Sequence, residues 1–296
     1  MMPTMPSTAS NLRFEVWGSP IRHSRSPELH QAAYRVLGLD WTYRRQEVTE
    51  EQFPQDFSSL APEVGGLSLT MPLKEVILGH VADHRGPVDL LHAANTAVKN
   101  ADGWWLDNTD WWGAWRTLQD CGGTAHQKVW LLGAGATARA VVFALAEDRP
   151  EHLTLVVRSP ERARITRVLG ETLGLSLSVA TFDDLPTEAA DWVISTLPGG
   201  VAPEAPGLAR QAHSAKLFDI AYDPWPSGLA TAWQESPHPV VSGMSMLVYQ
   251  ALGQLRAFIQ GDSQERLKRE NEVLEAMWQA IGPTPGADVA QPSVEE

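Results

Sequence analysis

The run Leu131-Leu132-Gly133-Ala134-Gly135-Ala136-Thr137-Ala138 places two glycines behind an apolar stretch and ahead of a helix-forming one, with a small residue at Ala138. Small residues in that order let backbone amides approach a pyrophosphate at the positive end of a helix. Gly133, Ala134, Gly135, Ala136 and Thr137 are therefore candidate ligands of a dinucleotide. The plainer reading is a tight strand-to-helix turn that binds nothing. At the end of the next apolar run stand Arg158, Ser159 and Arg162. An acid there would hold a free ribose hydroxyl, whereas arginine and a hydroxyl attract a 2′-phosphate, so the expected cofactor is NADP.

A second polar group lies in the N-terminal half. Pro72 opens a helix expected to run to about Ala82, and Lys74 falls in its first turn, where the macrodipole disfavours a cation. Lys74 is thus a candidate proton donor and acceptor, against the plainer reading as a solvated side chain. Asp110, after Asn108-Thr109, reads either as a helix N-cap or as an acid at the chemistry. Ser26 before Pro27 reads as the N-cap of a helix closed by Gly38, with Ser24 in the turn ahead of it. Gln250, among Leu247, Ala251 and Leu255, lies near an apolar helix face and needs a buried partner or a ligand.

The elements that must position these residues follow from periodicity. Strands are expected at Phe14–Gly18, Trp41–Val48, Leu67–Leu69 and Ala94–Lys99, alternating with helices in an α/β region. A helix over Trp111–Cys121 is expected to bury Trp112, Trp115 and Leu118. Further strands at Lys128–Leu132, Leu153–Val157, Ser176–Ala180, Trp192–Thr196 and Lys216–Ile220 imply a doubly wound, largely parallel sheet. A helix after Gly243 runs to about Gln260. The last, over Ser263–Ile281, is expected to bury Leu267, Val273, Leu274 and Met277, and 282–296 reads as a flexible tail.

The 296 residues suit about two domains, and 43% hydrophobic with 20% charged residues is ordinary globular usage. A net charge of −13 repels phosphate backbones and anionic lipid, which favours a small-molecule substrate over nucleic acid or a membrane surface. Cys121 alone forms no internal disulfide, which suits a reducing compartment. No run approaches the roughly 18 apolar residues of a membrane span, and Met1 to Ser10 lacks a signal-peptide core, so the expected location is the cytoplasm. The scattered histidines predict no metal site, and oligomeric state is not legible.

Taken together, Gly18-Ser19-Pro20-Ile21-Arg22-His23-Ser24-Arg25-Ser26-Pro27, Leu69-Thr70-Met71-Pro72-Leu73-Lys74, Ala93-Ala94-Asn95-Thr96, Asn108-Thr109-Asp110, the glycine turn, Asp219-Ile220-Ala221-Tyr222-Asp223-Pro224 and the segment Gly243 to Ala251 resemble, in order, the motifs of the shikimate dehydrogenase family. The resemblance implies an N-terminal α/β substrate domain, 11–110, completed by C-terminal helices 244–281, and a Rossmann-type doubly wound NADP domain at 111–243. It implies NADP-dependent reversible reduction of 3-dehydroshikimate to shikimate, in aromatic amino-acid biosynthesis, with Lys74 and Asp110 as a proton-relay pair. Ser24, Ser26 and Tyr222 would take the substrate carboxylate, Thr70, Asn95, Asp110 and Gln250 the ring hydroxyls, and Ile220 and Gly243 would border the nicotinamide. The chain departs from the family pattern at Trp111, where glycine is common, at Gln31, and at Ser68, where asparagine is common. These departures keep a quinate or aminated-analogue dehydrogenase as the alternative. A non-catalytic NADP-binding regulator is the reading from another class, and a pure sensor has no need of both Lys74 and Asp110.

Overall fold

The computed structural model describes residues 11–200, 205–212, 214–233, 236–238 and 240–282; the leader Met1 to Ser10 and all of the expected tail after Gly282 lie outside the described residues. The chain divides into two compact units, the first running to Thr109 and resuming at Val248, the second spanning Asp110–Leu247.

The elements up to Thr109 are β1 (Arg13–Gly18), α1 (Ser26–Leu37), β2 (Thr42–Glu47), α2 (Phe53–Ser58), β3 (Val64–Leu69), α3 (Leu73–Val76), β4 (Asp83–His84), α4 (Val88–Leu91), β5 (Thr96–Asn100) and β6 (Gly103–Asp107). From Asp110 follow α5 (Asp110–Asp120), β7 (Lys128–Leu132), α6 (Ala136–Asp148), β8 (His152–Val157), α7 (Arg164–Thr172), β9 (Leu177–Thr181), β10 (Trp192–Ser195), α8 (Ala205–Gln211), β11 (Lys216–Asp219), α9 (Gly228–Ala232) and β12 (Val240–Ser242). The long α10 (Met244–Gln260) and α11 (Glu270–Ile281) end the described chain.

The first sheet has the order β2-β1-β3-β5-β6-β4. β1 runs parallel to β2 and β3, whereas β5 is antiparallel to both β3 and β6, which sets Ser68 opposite Thr96. The β5–β6 turn is two residues long; Asp102 N donates to Asn100 Oδ1 at 2.9 Å and Gly103 takes φ +130°. Trp17, Phe53, Leu67, Leu73, Ile77 and Leu106 fill one core of this unit, each such side chain contributing about 1.5–3 kcal/mol on burial. Gly38 closes α1 in the left-handed conformation, φ 67°, where a glycine carries no Cβ penalty.

The second sheet is parallel throughout, in the order β12-β11-β10-β7-β8-β9. Val129 to Leu132, Leu153 to Val157 and Trp192 to Ile194 are buried, as strands covered on both faces must be, and read accordingly as nearly unbroken apolar runs. The sheet is doubly wound, its order reversing between β7 and β10.

Three expectations need correction. α5 buries Gly113, Ala114, Thr117 and Leu118, while Trp112 and Trp115 stay half-buried. Its close neighbour is α6, and small residues let two helices approach where indoles cannot. The last helix begins at Glu270, because Arg269 is left-handed at φ 61° and Glu270 accepts from Leu267 N (2.9 Å) and from Arg256 (2.8 Å); Leu274 is half-buried. Ser26 is the first helical residue rather than the cap, the N-cap position falling on Arg25.

Candidate active site

In the first unit, the end of β1 is drawn against the Thr70-Met71 turn. Thr70 N donates to Trp17 O at 2.9 Å and Ser19 N to Met71 O at 3.0 Å. A side chain on Gly18 would overlap Thr70 and the Met71 carbonyl, so only glycine permits the approach. Thr70 and Lys74 follow, both half-buried. The expected helix to Ala82 is not formed: α3 is a single turn, continued by a 3-10 turn over Ile77–Gly79. One turn has too few aligned peptides for the macrodipole invoked at Lys74. Its placement comes from the backbone, Lys74 O accepting from Ala94 N at 2.8 Å, which ties α3 to the segment entering Asn95.

Asn95 is the hub of this unit. Its Nδ2 donates to Thr109 Oγ1 (3.0 Å) and Gln250 Oε1 (3.2 Å). Its Oδ1 accepts from Thr109 N (2.8 Å) and Thr96 Oγ1 (2.7 Å). Thr109 Oγ1 in turn donates to the Gln250 carbonyl at 2.8 Å. The backbone is thereby fixed at the residue before Asp110, which is itself only 4% exposed. The expected Asn95 and Gln250 are thus brought together, and Gln250 has the buried partner its helix position demanded.

Ser24 and Ser26 are both buried at the start of α1, Ser24 Oγ accepting from Ser26 N (3.4 Å) and donating to Ser26 Oγ (3.3 Å). Arg45 buttresses the turn, Nε donating to Ser24 O at 2.6 Å while Nη2 donates to Glu28 at 2.7 Å. One turn on, His30 stacks flat on Tyr43, centroids 4.1 Å apart, and burial pushes its pKa down to about 3, so the ring is neutral. Burial likewise raises the Tyr43 phenol, against the opposing hydroxyls of Ser68 and Ser26.

In the second unit the glycine turn leaves β7 at the point where strand order reverses, the usual place for a ligand in such sheets. Gly133 takes φ +104°, and a Cβ there would lie 2.5 Å from Thr196 Oγ1. Gly135 is exposed, and a Cβ added to it would meet no atom within 4 Å. Ala138 is fully buried against the sheet, and the first turn of α6 carries no acid. Thr166 Oγ1 holds the turn by donating to Ala134 O at 2.8 Å. Ala136 and Thr137, half-buried, open α6. This geometry fits a pyrophosphate. Arg158 and Arg162 are exposed, and among the described residues neither guanidinium has a partner, which fits a 2′-phosphate; Ser159 instead donates to Glu161.

Tyr222 and Ile220, half-buried, lie on the turn after β11. Asp219 pins it by accepting from Ser227 Oγ and from Ala221 N (3.4 Å), and burial raises its carboxyl against those bonds. A side chain on Gly243 would run into the Ile220 carbonyl, so the chain itself takes up the space of its missing Cβ.

The family model described as the shikimate dehydrogenase substrate binding domain matches residues 16–97. The shikimate dehydrogenase (NADP(+)) of Methanothermobacter thermautotrophicus is 33% identical over 251 residues, 81% of this chain and 88% of that protein. The chain belongs to the shikimate dehydrogenase family. Among solved shikimate dehydrogenases, that of Mycobacterium tuberculosis superposes with a TM-score of 0.78 at 36% identity, over 90% of this chain and 98% of its own. That of Thermus thermophilus, in complex with NADP(H) and shikimate, gives 0.75 at 27% identity, over 91% and 99%.

The expected site residues of this chain fall into two sets. Ser24, Ser26, Thr70, Lys74, Asn95 and Gln250 lie in the first unit, and Asp110, Tyr222 and the glycine-turn and arginine residues in the second. Sequence reasoning missed Tyr43, Ser68 and Gln254, which bond to one another and to Asn95. The signal available was Gln254, a second glutamine four residues after Gln250 on an apolar helix face. Among the described residues no group of three or more His, Cys, Asp or Glu is placed to hold a metal, and no helix is long and apolar enough to cross a membrane.

Proposed function

We propose that this chain interconverts 3-dehydroshikimate and shikimate with NADP(H). The observation that carries the reading is the bonded cluster of Asn95, Thr109 and Gln250, which fixes the backbone immediately before the buried Asp110. Bound at the glycine turn, the dinucleotide supplies or accepts the hydride.

In the reducing direction a carbonyl carbon gains hydride and its oxygen gains a proton. Lys74 Nζ gives that proton and recovers one from solvent, and the Asp110 carboxylate holds the ammonium and the nascent hydroxyl in line. In the oxidising direction Lys74 takes the hydroxyl proton. The hydroxyls of Ser24, Ser26 and Tyr222 bind the substrate carboxylate without a full counter-charge, which suits an acidic protein. Thr70, Asn95 and Gln250 serve ring hydroxyls, a ring oxygen replacing the 3.2 Å bond between the two amides. Arg158 and Arg162 take the 2′-phosphate as charge-assisted donors.

The test is absorbance at 340 nm with NADP⁺ and shikimate, repeated with quinate and with NAD⁺. Turnover greatest with shikimate and NADP⁺ is expected. Turnover mainly on quinate would move the substrate, and cofactor binding without turnover on either acid would remove the catalytic reading.

A further inference from the structure

We infer that Gln254 is a positioning residue, setting the depth at which α10 seats on β3 and β5 and so the alignment of Gln250 with Asn95. The inference rests on the proposed binding of shikimate by those two amides. Gln254 is 1% exposed on a helix whose neighbouring Leu252, Leu255 and Phe258 are also buried. Both ends of its amide are engaged. Ser68 Oγ donates to Oε1 at 2.7 Å, and Nε2 donates to Asn95 O at 2.9 Å.

The direction of every proton in this chain is forced. Gln254 Oε1 can only accept, so the Ser68 proton points at it, and Ser68 Oγ accepts in turn from Tyr43 OH at 2.5 Å. A flipped amide would set two carbonyl oxygens against each other at Asn95. The Asn95 carbonyl also accepts from Leu69 N at 2.8 Å, so one lone pair is held by β3 and the other by α10. Gln250, one helical turn before Gln254 on the same face, meets the Asn95 side chain. A shift at Gln254 therefore reaches Gln250 along one rigid turn and reaches the Asn95 amide through its own backbone. A buried amide satisfied at both ends specifies one arrangement, which an apolar contact does not.

The test measures kcat, KM for shikimate, KM for NADP⁺, calorimetric shikimate affinity without cofactor, and Tm, for wild type, Gln254→Met, Ser68→Ala and the double variant. Gln254→Met should raise both KM and Kd for shikimate about five- to tenfold, the worth of one neutral hydrogen bond, with KM for NADP⁺ unchanged. The double variant should be no worse than Gln254→Met, because both cut the same chain. A folded Gln254→Met protein with wild-type affinity for shikimate overturns the inference and leaves the proposed function intact; so does a fall in Tm with both Michaelis constants unchanged, the signature of a purely structural residue. A wild type that neither binds nor oxidises shikimate overturns the proposed function and this inference together. Should Gln254→Met fail to fold, Ser68→Ala reads the same loss of shikimate affinity, and its absence is equally decisive.

Discussion

Gly135→Ala separates a turn that binds pyrophosphate from one that only reverses the chain. A Cβ on Gly135 meets no atom within 4 Å, and its φ of −81° suits any L-residue. The loss of backbone freedom in the unfolded chain stabilises the variant by about 0.4–1 kcal/mol, and alanine at an N-cap costs about as much, so Tm should stay within about 2 °C of wild type. Gly133→Ala is the control in the opposite sense. Its φ of +104° costs an L-residue about 1–2 kcal/mol. Its Cβ would lie 2.5 Å from Thr196 Oγ1, whose 2.8 Å bond to Leu132 O must yield for about 1 kcal/mol more. The sum, about 2–3 kcal/mol, lowers Tm by about 3–5 °C in a chain of 296 residues. Binding should rank the two differently. If the pyrophosphate binds at this turn as proposed, a methyl on Gly135 should obstruct its approach and remove a charge-assisted bond of about 1.5–3 kcal/mol, weakening NADP⁺ about 10- to 100-fold. Calorimetric titration with NADP⁺ and differential scanning fluorimetry measure both quantities. A Gly135→Ala protein that binds NADP⁺ like wild type refutes the pyrophosphate assignment, and a Tm loss matching that of Gly133→Ala refutes the steric reasoning.

Lys74→Ala should lower kcat about 10²- to 10⁴-fold in steady-state assays with little change in KM for shikimate, and an unchanged kcat would take the lysine out of the mechanism. Arg158→Ala should raise KM for NADP⁺ about tenfold and leave NAD⁺ kinetics alone; equal effects on the two cofactors would dissociate Arg158 from the 2′-phosphate. Burial raises the Asp107 carboxyl above the usual range, against bonds from Ser263 Oγ (2.6 Å) and Asn108 N (2.7 Å). Because the folded value is the higher one, the unfolded chain ionises first as pH rises, and wild-type stability is lost between an unfolded pKa of about 3.9 and the raised folded value. Asp107→Asn can still accept from Asn108 and donate to Ser263 without titrating. Urea unfolding should show its stability relative to wild type improving from about pH 4 to pH 7, and a difference that is the same at both pH values would contradict the sign.

The parallel sheet is legible in the sequence because its strands are covered on both faces, so Leu153 to Val157 and Trp192 to Ile194 must be apolar almost without interruption. β6 is not, although Asn100 to Gly103 carries the Asn, Asp and Gly of a two-residue hairpin, because Trp104 and Trp105 break the alternation expected of a half-buried strand. β12 is three residues long and gains its identity only from pairing with β11. At Trp112 and Trp115 a spacing of three marks a helix face, but which face is buried is decided by what α6 can approach. The start of the last helix is hidden for a similar reason: the left-handed backbone of Arg269 is tolerated because Glu270 is held by Arg256, a partner on α10.

The candidate site shows where reading by residue type stops. Asn95, Lys74 and Asp110 are recognisable as members of a pattern, yet what Asn95 does inside the first unit depends on Gln250, 155 positions away, and on Gln254, 159 away. Ser68 and Gln254 are 186 positions apart, and neither residue by itself names the other as its partner. Once the fold brings them together, their chemistry leaves no freedom: the carbonyl oxygen accepts, the hydroxyl must donate to it, and the phenol must donate to the hydroxyl. The pairing is a property of topology, whereas the polarity is a property of the residues. A buried polar residue near a family motif is therefore informative before its partner is known, because burial without a partner costs about 1–3 kcal/mol and the fold must supply one.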